Sequence, residues 1–213
     1  MDDQSLNALK TDVAASVEQD EGLRKRVRDL TLRALKNHSM DLNEVRQVAE
    51  AVMEGVSLGL EHRKSELKNA LSEAMAGLDE AVSKAVEASH LALRQLVSQG
   101  KEFGENELKQ ALEQLKNLEG AFLDTLGKVA DSAGDKLRQE FKDFVLHARR
   151  AGTDTGGKIA VMVEEFSNKV HATADSGKLT AVTAARDVGG RVAEVASGFF
   201  AALSDALHEK SKK

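Results

Sequence analysis

From Val27 to Leu207, apolar side chains return every eleven residues without a change of register. One series runs Val27, Ala49, Leu60, Leu71, Val82, Leu93, Leu115, Leu126, Leu137, Ala148, Ile159, Val170, Val192 and Leu203, stepping over His38, Gly104 and Ala181. A second, four places on, carries Leu42, Met53, Met75, Val86, Val97, Leu108, Phe141 and Val163. A third, three further, carries Val45, Val56, Leu67, Leu78, Phe122, Phe144, Phe166, Val188 and Phe199. Eleven residues make three helical turns at about 3.67 residues each, so the series share one nearly straight stripe. The pattern predicts an all-α protein of long amphipathic helices with an eleven-residue (hendecad) repeat. Such a stripe must be buried. Two architectures do so: an antiparallel bundle, or an elongated coiled-coil rod with the stripe between subunits.

Local signals divide the stripe. Gly22 and the run Lys36-Asn-His-Ser-Met40 set off short N-terminal helices over 1–40. Asp41-Leu-Asn-Glu44 has the form of a capping box, predicting a helix from about Asp41 to about Ser98. Glycines at 100 and 104 mark a weak point, so 41–151 reads as a long helical hairpin or a kinked rod. Arg150-Ala-Gly-Thr-Asp-Thr-Gly-Gly-Lys158 is the strongest loop signal. A C-terminal amphipathic helix follows over 157–208, then a basic tail over 209–213.

Composition narrows the class. There is no proline in 213 residues, which suits uninterrupted helices. There is no cysteine, which removes disulfides and thiolate metal sites and fits a cytoplasmic setting. Aromatics are 3% of residues and the formal net charge is −5, so nucleic acid is not an expected partner. The start carries acids where a secretory signal needs bases, and no run approaches the ~20 apolar residues of a membrane span.

Three blocks carry a resemblance: Val52-Met-Glu-Gly-Val-Ser-Leu-Gly59, Gly77-Leu-Asp-Glu-Ala81 with Glu87-Ala-Ser-His-Leu-Ala-Leu93, and Glu107-Leu-Lys-Gln-Ala-Leu112. Phe122-Leu-Asp-Thr-Leu126 and His147-Ala-Arg-Arg-Ala-Gly-Thr153 complete it. Over about 23–163 the chain resembles a family of uncharacterised, alanine-rich helical proteins from proteobacteria, a domain of unknown function. That resemblance implies a helical fold and supplies no site residues. In size, lack of cysteine and amphipathic helices it also loosely resembles phasins, the helical coat proteins of bacterial polyester granules.

Candidate chemistry is sparse. Gly152-Thr-Asp-Thr-Gly-Gly-Lys158 has the skeleton of a phosphate-binding loop, but Ile159 stands where a hydroxyl is needed and no strand precedes it. Glu87-x-x-His90 has di-metal bundle spacing; a second Glu-x-x-His is missing, and Asp205-x-x-His208 is the nearest substitute. Arg24-Lys-Arg-Val-Arg28 is the densest basic cluster, diluted by Asp20, Glu21 and Asp29, so an ordinary charged helix face outweighs phosphate or membrane contact. No catalytic, metal or cofactor residues are assigned, and no enzyme is expected. Small residues over 179–200, ending at Phe199-Phe200, suit close helix contact or insertion into an apolar surface.

The expected function is that of a non-enzymatic, self-associating helical structural or scaffold protein forming a bundle, filament or coat. Its stripe is Leu71, Val82, Leu93, Leu115, Phe122, Leu126, Leu137, Phe141, Phe144, Ile159, Phe166, Val188, Val192, Phe199 and Leu203. The expected partner is a second copy, forming a homo-oligomer. The alternative is a reversible amphipathic-helix coat on a membrane or polyester-granule surface, with lipid or polymer as partner.

Overall fold

The structure, a computed structural model, describes residues 2–19, 22–36, 42–63, 66–98 and 105–175. Seven helices occupy them: α1 (Asp3–Val17), α2 (Leu23–Lys36), α3 (Leu42–Glu61), α4 (Leu67–Ser98), α5 (Glu105–Ser132), α6 (Asp135–Ala151) and α7 (Asp154–Asp175). No strand lies among the described residues, so the all-α class is the observed one. None of these helices is long and apolar enough to cross a membrane.

Helix starts and stops follow local chemistry. The Asp2 carboxylate accepts the Ser5 backbone N–H at 2.7 Å and caps α1. At the other end, the Arg26 guanidinium donates to the carbonyls of Ser16 and Gln19, at 2.8 and 2.9 Å. It thereby satisfies acceptors left open where α1 stops. Gly22 supplies the positive φ (+68°) of the connection to α2.

The expected single helix from Asp41 to Ser98 is corrected. It divides at 62–66, with α3 ending at Glu61 and α4 starting at Leu67. Glu66 adopts φ +58° there, a left-handed conformation taken by a residue that is not glycine. The Arg63 guanidinium donates to the Val17 carbonyl at 3.1 Å, drawing this joint onto the end of α1. Asp41 and the stretch 99–104 lie outside the described residues. A further break, absent from the sequence reading, separates α5 from α6 at Ala133-Gly134, with Gly134 as the N-cap.

By packing, the chain divides into two units: 1–84 with 118–156, and 85–117 with 157–213. In the first unit α1 runs parallel to α3. Lys10 pairs with Glu54 at 2.8 Å, Val17 meets Gly59, and Glu18 lies 3.7 Å from His62, all rising together. Close approach depends on Gly55 and Gly59, which sit four residues apart on one helix face. A Cβ on Gly55 would fall 2.5 Å from the Lys10 carbonyl oxygen, and one on Gly59 2.6 Å from the Val17 Cβ. Gly77 brings α4 against the backbone of α2 at Arg24 in the same way. α5 and α6 run antiparallel, joined by Asp124–Arg149 at 2.6 Å and Asp131–Lys142 at 2.8 Å.

The stripe forms the core of this unit. Val27, Ala49, Leu60, Leu71, Val82, Leu126, Leu137 and Ala148, all from the first series, are buried. Met53, Met75 and Phe141 from the second, and Val56, Leu78 and Phe122 from the third, are buried with them.

In the second unit α4 and α7 run parallel. Glu87 meets Lys158 at 3.4 Å, and further along His90 meets Glu165 at 2.7 Å. Among the described side chains of α7, Ile159, Met162 and Phe166 are buried.

Candidate functional site

A cluster of hydrogen bonds in the first unit lies where the sequence carries its phosphate-loop skeleton. Gly152, at φ +81°, terminates α6, and only Gly152 and Thr153 intervene before α7. The expected loop over 150–158 is therefore shorter than its composition suggests: Thr155, Gly156, Gly157 and Lys158 are already helical. Helix α6, not a strand, precedes the turn.

A helix N-terminus exposes unpaired N–H groups and the positive end of its dipole, the combination that binds phosphate elsewhere. Here the chain supplies its own anions. Asp79, from α4, accepts the N–H of Asp154 at 2.9 Å, the N–H of Thr155 at 3.2 Å and the Thr155 hydroxyl at 2.6 Å. Glu119, from α5, accepts the Thr153 N–H at 3.2 Å and its hydroxyl at 2.8 Å. The Thr153 Oγ1 in turn accepts the Gly156 N–H at 2.9 Å. A Cβ at position 156 would fall on the Glu119 carboxylate, which would have to move aside and give up its place on Thr153. The donors a phosphate would use are spent on side chains of the same chain.

Beside this turn lies an open cleft of about 350 Å³, walled by Arg24, Met75, Asp79, Phe122, Phe144, His147, Thr153 and Asp154. Its lining mixes the apolar Met75, Phe122 and Phe144 with polar and charged groups. Both charge signs are present, from Arg24, Asp79 and Asp154.

The basic cluster is absorbed into structure. Arg24 and Arg28 both reach Glu80 at 3.2 Å, Lys84 reaches it at 3.1 Å, and Arg28 also holds Asp29 at 2.8 Å. Arg26 serves the end of α1. Burial raises the Glu80 carboxyl's affinity for its proton, but hydrogen bonds and charge from Lys84 and Arg28 outweigh it and hold the group down at about 2. A carboxylate with a lowered folded pKa contributes stability above its ordinary range and loses it as pH falls through the folded value. Acid titration of wild type should therefore show an added stability loss between about pH 4.5 and 2. Glu80→Gln should lack about 1 kcal/mol of that slope after solvent screening. Denaturant midpoints measured against pH check this, and parallel slopes for the two proteins contradict it.

The di-metal spacing is likewise taken apart. Glu87 turns to Lys158, whereas His90 bonds Glu165, which Arg94 also approaches at 3.4 Å. The His90 ring packs edge-on against Phe166, with centroids 5.7 Å apart. Among the described residues no three His, Asp or Glu side chains are grouped to hold a metal.

The stripe residues fall into three groups. Leu71, Val82, Phe122, Leu126, Leu137 and Phe141 are buried in the first unit, with Phe144 half-buried at the cleft, and Ile159 and Phe166 are buried in the second. The side chains of Leu93 and Leu115, and all of Val188, Val192, Phe199 and Leu203, lie outside the described residues. So do the 179–200 stretch and Asp205-x-x-His208. The sequence reading missed Asp79 and Glu119. Asp79 lies inside one of the family-like blocks, and Glu119 is an acid interrupting the second apolar series, which was its only signal.

No curated protein matches the chain, and no solved structure matches it. A family model does match, over residues 1–209, extending past the 23–163 span of resemblance and taking in most of the small-residue C-terminal part. The chain belongs to DUF6781, a family of unknown function.

Proposed function

We propose that this chain is a non-enzymatic, self-associating helical protein of structural character, and that its assembly runs through the second unit. The supporting observation is a contrast in how apolar side chains are used. In the first unit the stripe from Leu71 to Phe141 is covered by the chain itself. The contrast is one of degree: Leu91 on α4 and Val161 on α7, in the second unit, stay 52% and 58% exposed, against 40% for Leu58 and 48% for Leu146 in the first. The eleven-residue apolar series, on which neither Leu91 nor Val161 lies, continues in the sequence through Val188, Val192, Phe199 and Leu203. Apolar side chains left in water gain by finding a partner surface. A second copy offers the same side chains in a self-complementary arrangement.

Sedimentation velocity over a hundredfold range of concentration tests the reading. Reversible oligomers are expected, and Leu91→Lys combined with Val161→Lys should shift them toward monomer by at least tenfold in dissociation constant, with helicity unchanged. A monomer at every concentration contradicts self-association. A monomer that gains helix only on anionic vesicles supports a surface coat in its place.

A further inference from the structure

We propose, resting on the self-association above, that the face shared by α4 and α7 joins two copies of the chain about a two-fold axis, with Glu87 of each copy opposite Arg94 of the other. Among the described residues, four large apolar side chains stay exposed: Leu58, Leu91, Leu146 and Val161. What separates them is the charge around them. On a helix, the residues three and four places away are neighbours on the same face. Leu58 lies between Glu54 and Glu61, both acidic, and Leu146 between Lys142 and Arg149, both basic. Leu91 lies between Glu87 and Arg94, and Val161 between Lys158 and Glu165, in each case opposite signs.

These last four charges form two rungs across a parallel pair of helices. Glu87 meets Lys158 at 3.4 Å, and Arg94 meets Glu165 at 3.4 Å, with His90 also on Glu165 at 2.7 Å. The rungs are seven residues apart on both helices, about two helical turns. Leu91 and Val161 each stand next to the midpoint between them. The order of signs is reversed from one helix to the other: acid then base along α4, base then acid along α7.

Such a pattern complements itself when inverted. A two-fold axis crossing both helices at the level of Leu91 and Val161 lays α4 antiparallel against the second copy's α4, and α7 against its α7. Glu87 then faces Arg94, Lys158 faces Glu165, and Leu91 and Val161 each meet their own counterpart. This is the self-complementarity that an isologous contact requires. The same operation at Leu58 or Leu146 would bring like charges together, which is penalised. Glu87, Lys158 and Arg94 keep about half of their side-chain surface in water and so remain accessible to a second copy. Within one chain, exposed rungs of this kind add little stability. Between copies, the same charges fix orientation and exclude wrong alignments, while the apolar side chains gain by leaving water.

Sedimentation velocity of the full chain, over a hundredfold range of concentration, tests the arrangement by charge reversal. Glu87→Lys and Arg94→Glu should each weaken association at least tenfold, because like charges then meet on both sides of the axis. Mixed in equal amounts, the two variants should associate again with nearly wild-type affinity, since in the mixed pair both contacts join opposite signs. The absence of cysteine gives a second reading that reverses no charge. A short thiol-specific cross-linker should join Leu91→Cys to a second copy, and should not join Leu146→Cys, a comparably exposed leucine of the first unit. A wild type that associates while the mixture stays as weak as its parts, while neither variant weakens, or while Leu91→Cys is not joined, overturns this arrangement and leaves self-association standing. A wild type that is monomeric at every concentration contradicts self-association itself, and this arrangement with it.

Discussion

Leu126→Lys will unfold most of the first unit. Leu126 is fully buried on α5 at the centre of the stripe. The substitution removes a branched apolar side chain and leaves an ammonium, or a lysine forced to give up its proton, among apolar neighbours. Loss of the packed leucine alone costs about 2–5 kcal/mol. The charge adds to that, so a total of about 4 kcal/mol or more is expected. Domains of this size hold only about 5–15 kcal/mol. Helical circular dichroism and the urea midpoint should both fall sharply. Glu113→Lys, at an exposed position on the same helix, should move the midpoint by no more than about 0.5 kcal/mol. Equal, small effects at both positions would mean that the stripe is not packed at Leu126.

The second large effect concerns the glycines under α1. Replacing a mid-helix glycine with alanine ordinarily stabilises by about 1 kcal/mol, because glycine loses more chain freedom on folding. Gly120 on α5 has open space where a Cβ would go, so Gly120→Ala should gain about that amount. Gly59→Ala must go the other way. Its methyl would meet the Val17 Cβ at 2.6 Å and the Ala14 carbonyl oxygen at 2.7 Å. One is a branch point and the other backbone, so neither can swing aside. Overpacking of this kind costs about 1–3 kcal/mol, which outweighs the propensity gain. Gly59→Leu should displace α1 altogether, raising exchange and proteolysis within 3–17 while the remaining helices persist. A stabilised Gly59→Ala would show that α1 does not pack on α3 as described.

The class of fold was legible because a period of eleven is a helical period, and a run of 213 residues without proline leaves it unbroken. Burial of Val27, Leu60, Leu71, Val82, Leu126 and Leu137 follows from their spacing alone. Helix boundaries were legible where a glycine marks them, as at Gly22 and Gly152, and where a polar run and a capping-box form do, at Lys36 and Leu42. The break after Glu61 falls on His62-Arg63-Lys64-Ser65-Glu66, a polar run with neither glycine nor proline. What distinguishes that joint is tertiary: Arg63 reaches the end of α1 and Glu66 takes a left-handed conformation, and no local propensity encodes either. The break at Ala133-Gly134 was readable, since glycine followed by an acid is a helix start, but the unbroken stripe masked it.

The site chemistry divides along the same line. Gly152 to Lys158 was recognisable as a joint before the last helix with the skeleton of a phosphate-binding loop, because glycine spacing is local, but the helix start at Asp154 was not. What fills it was not legible either, since Asp79 and Glu119 lie 76 and 34 residues away from Thr155 and Thr153 and nothing in the sequence pairs them. Glu87-x-x-His90 failed for a related reason: spacing places two side chains on one face but does not choose their partners. Lys158 and Glu165, brought up on α7, claim them separately.

The central claim is that in the first unit the stripe closes within one chain, leaving assembly to the second. The most direct test is amide protection at Leu126 and Phe141, by hydrogen exchange, across a hundredfold dilution of the intact protein. An intramolecular core is insensitive to protein concentration, whereas a core formed between copies weakens by mass action. Constant protection at both residues is the predicted result. Protection that falls tenfold or more on dilution would place the stripe between subunits and contradict the account.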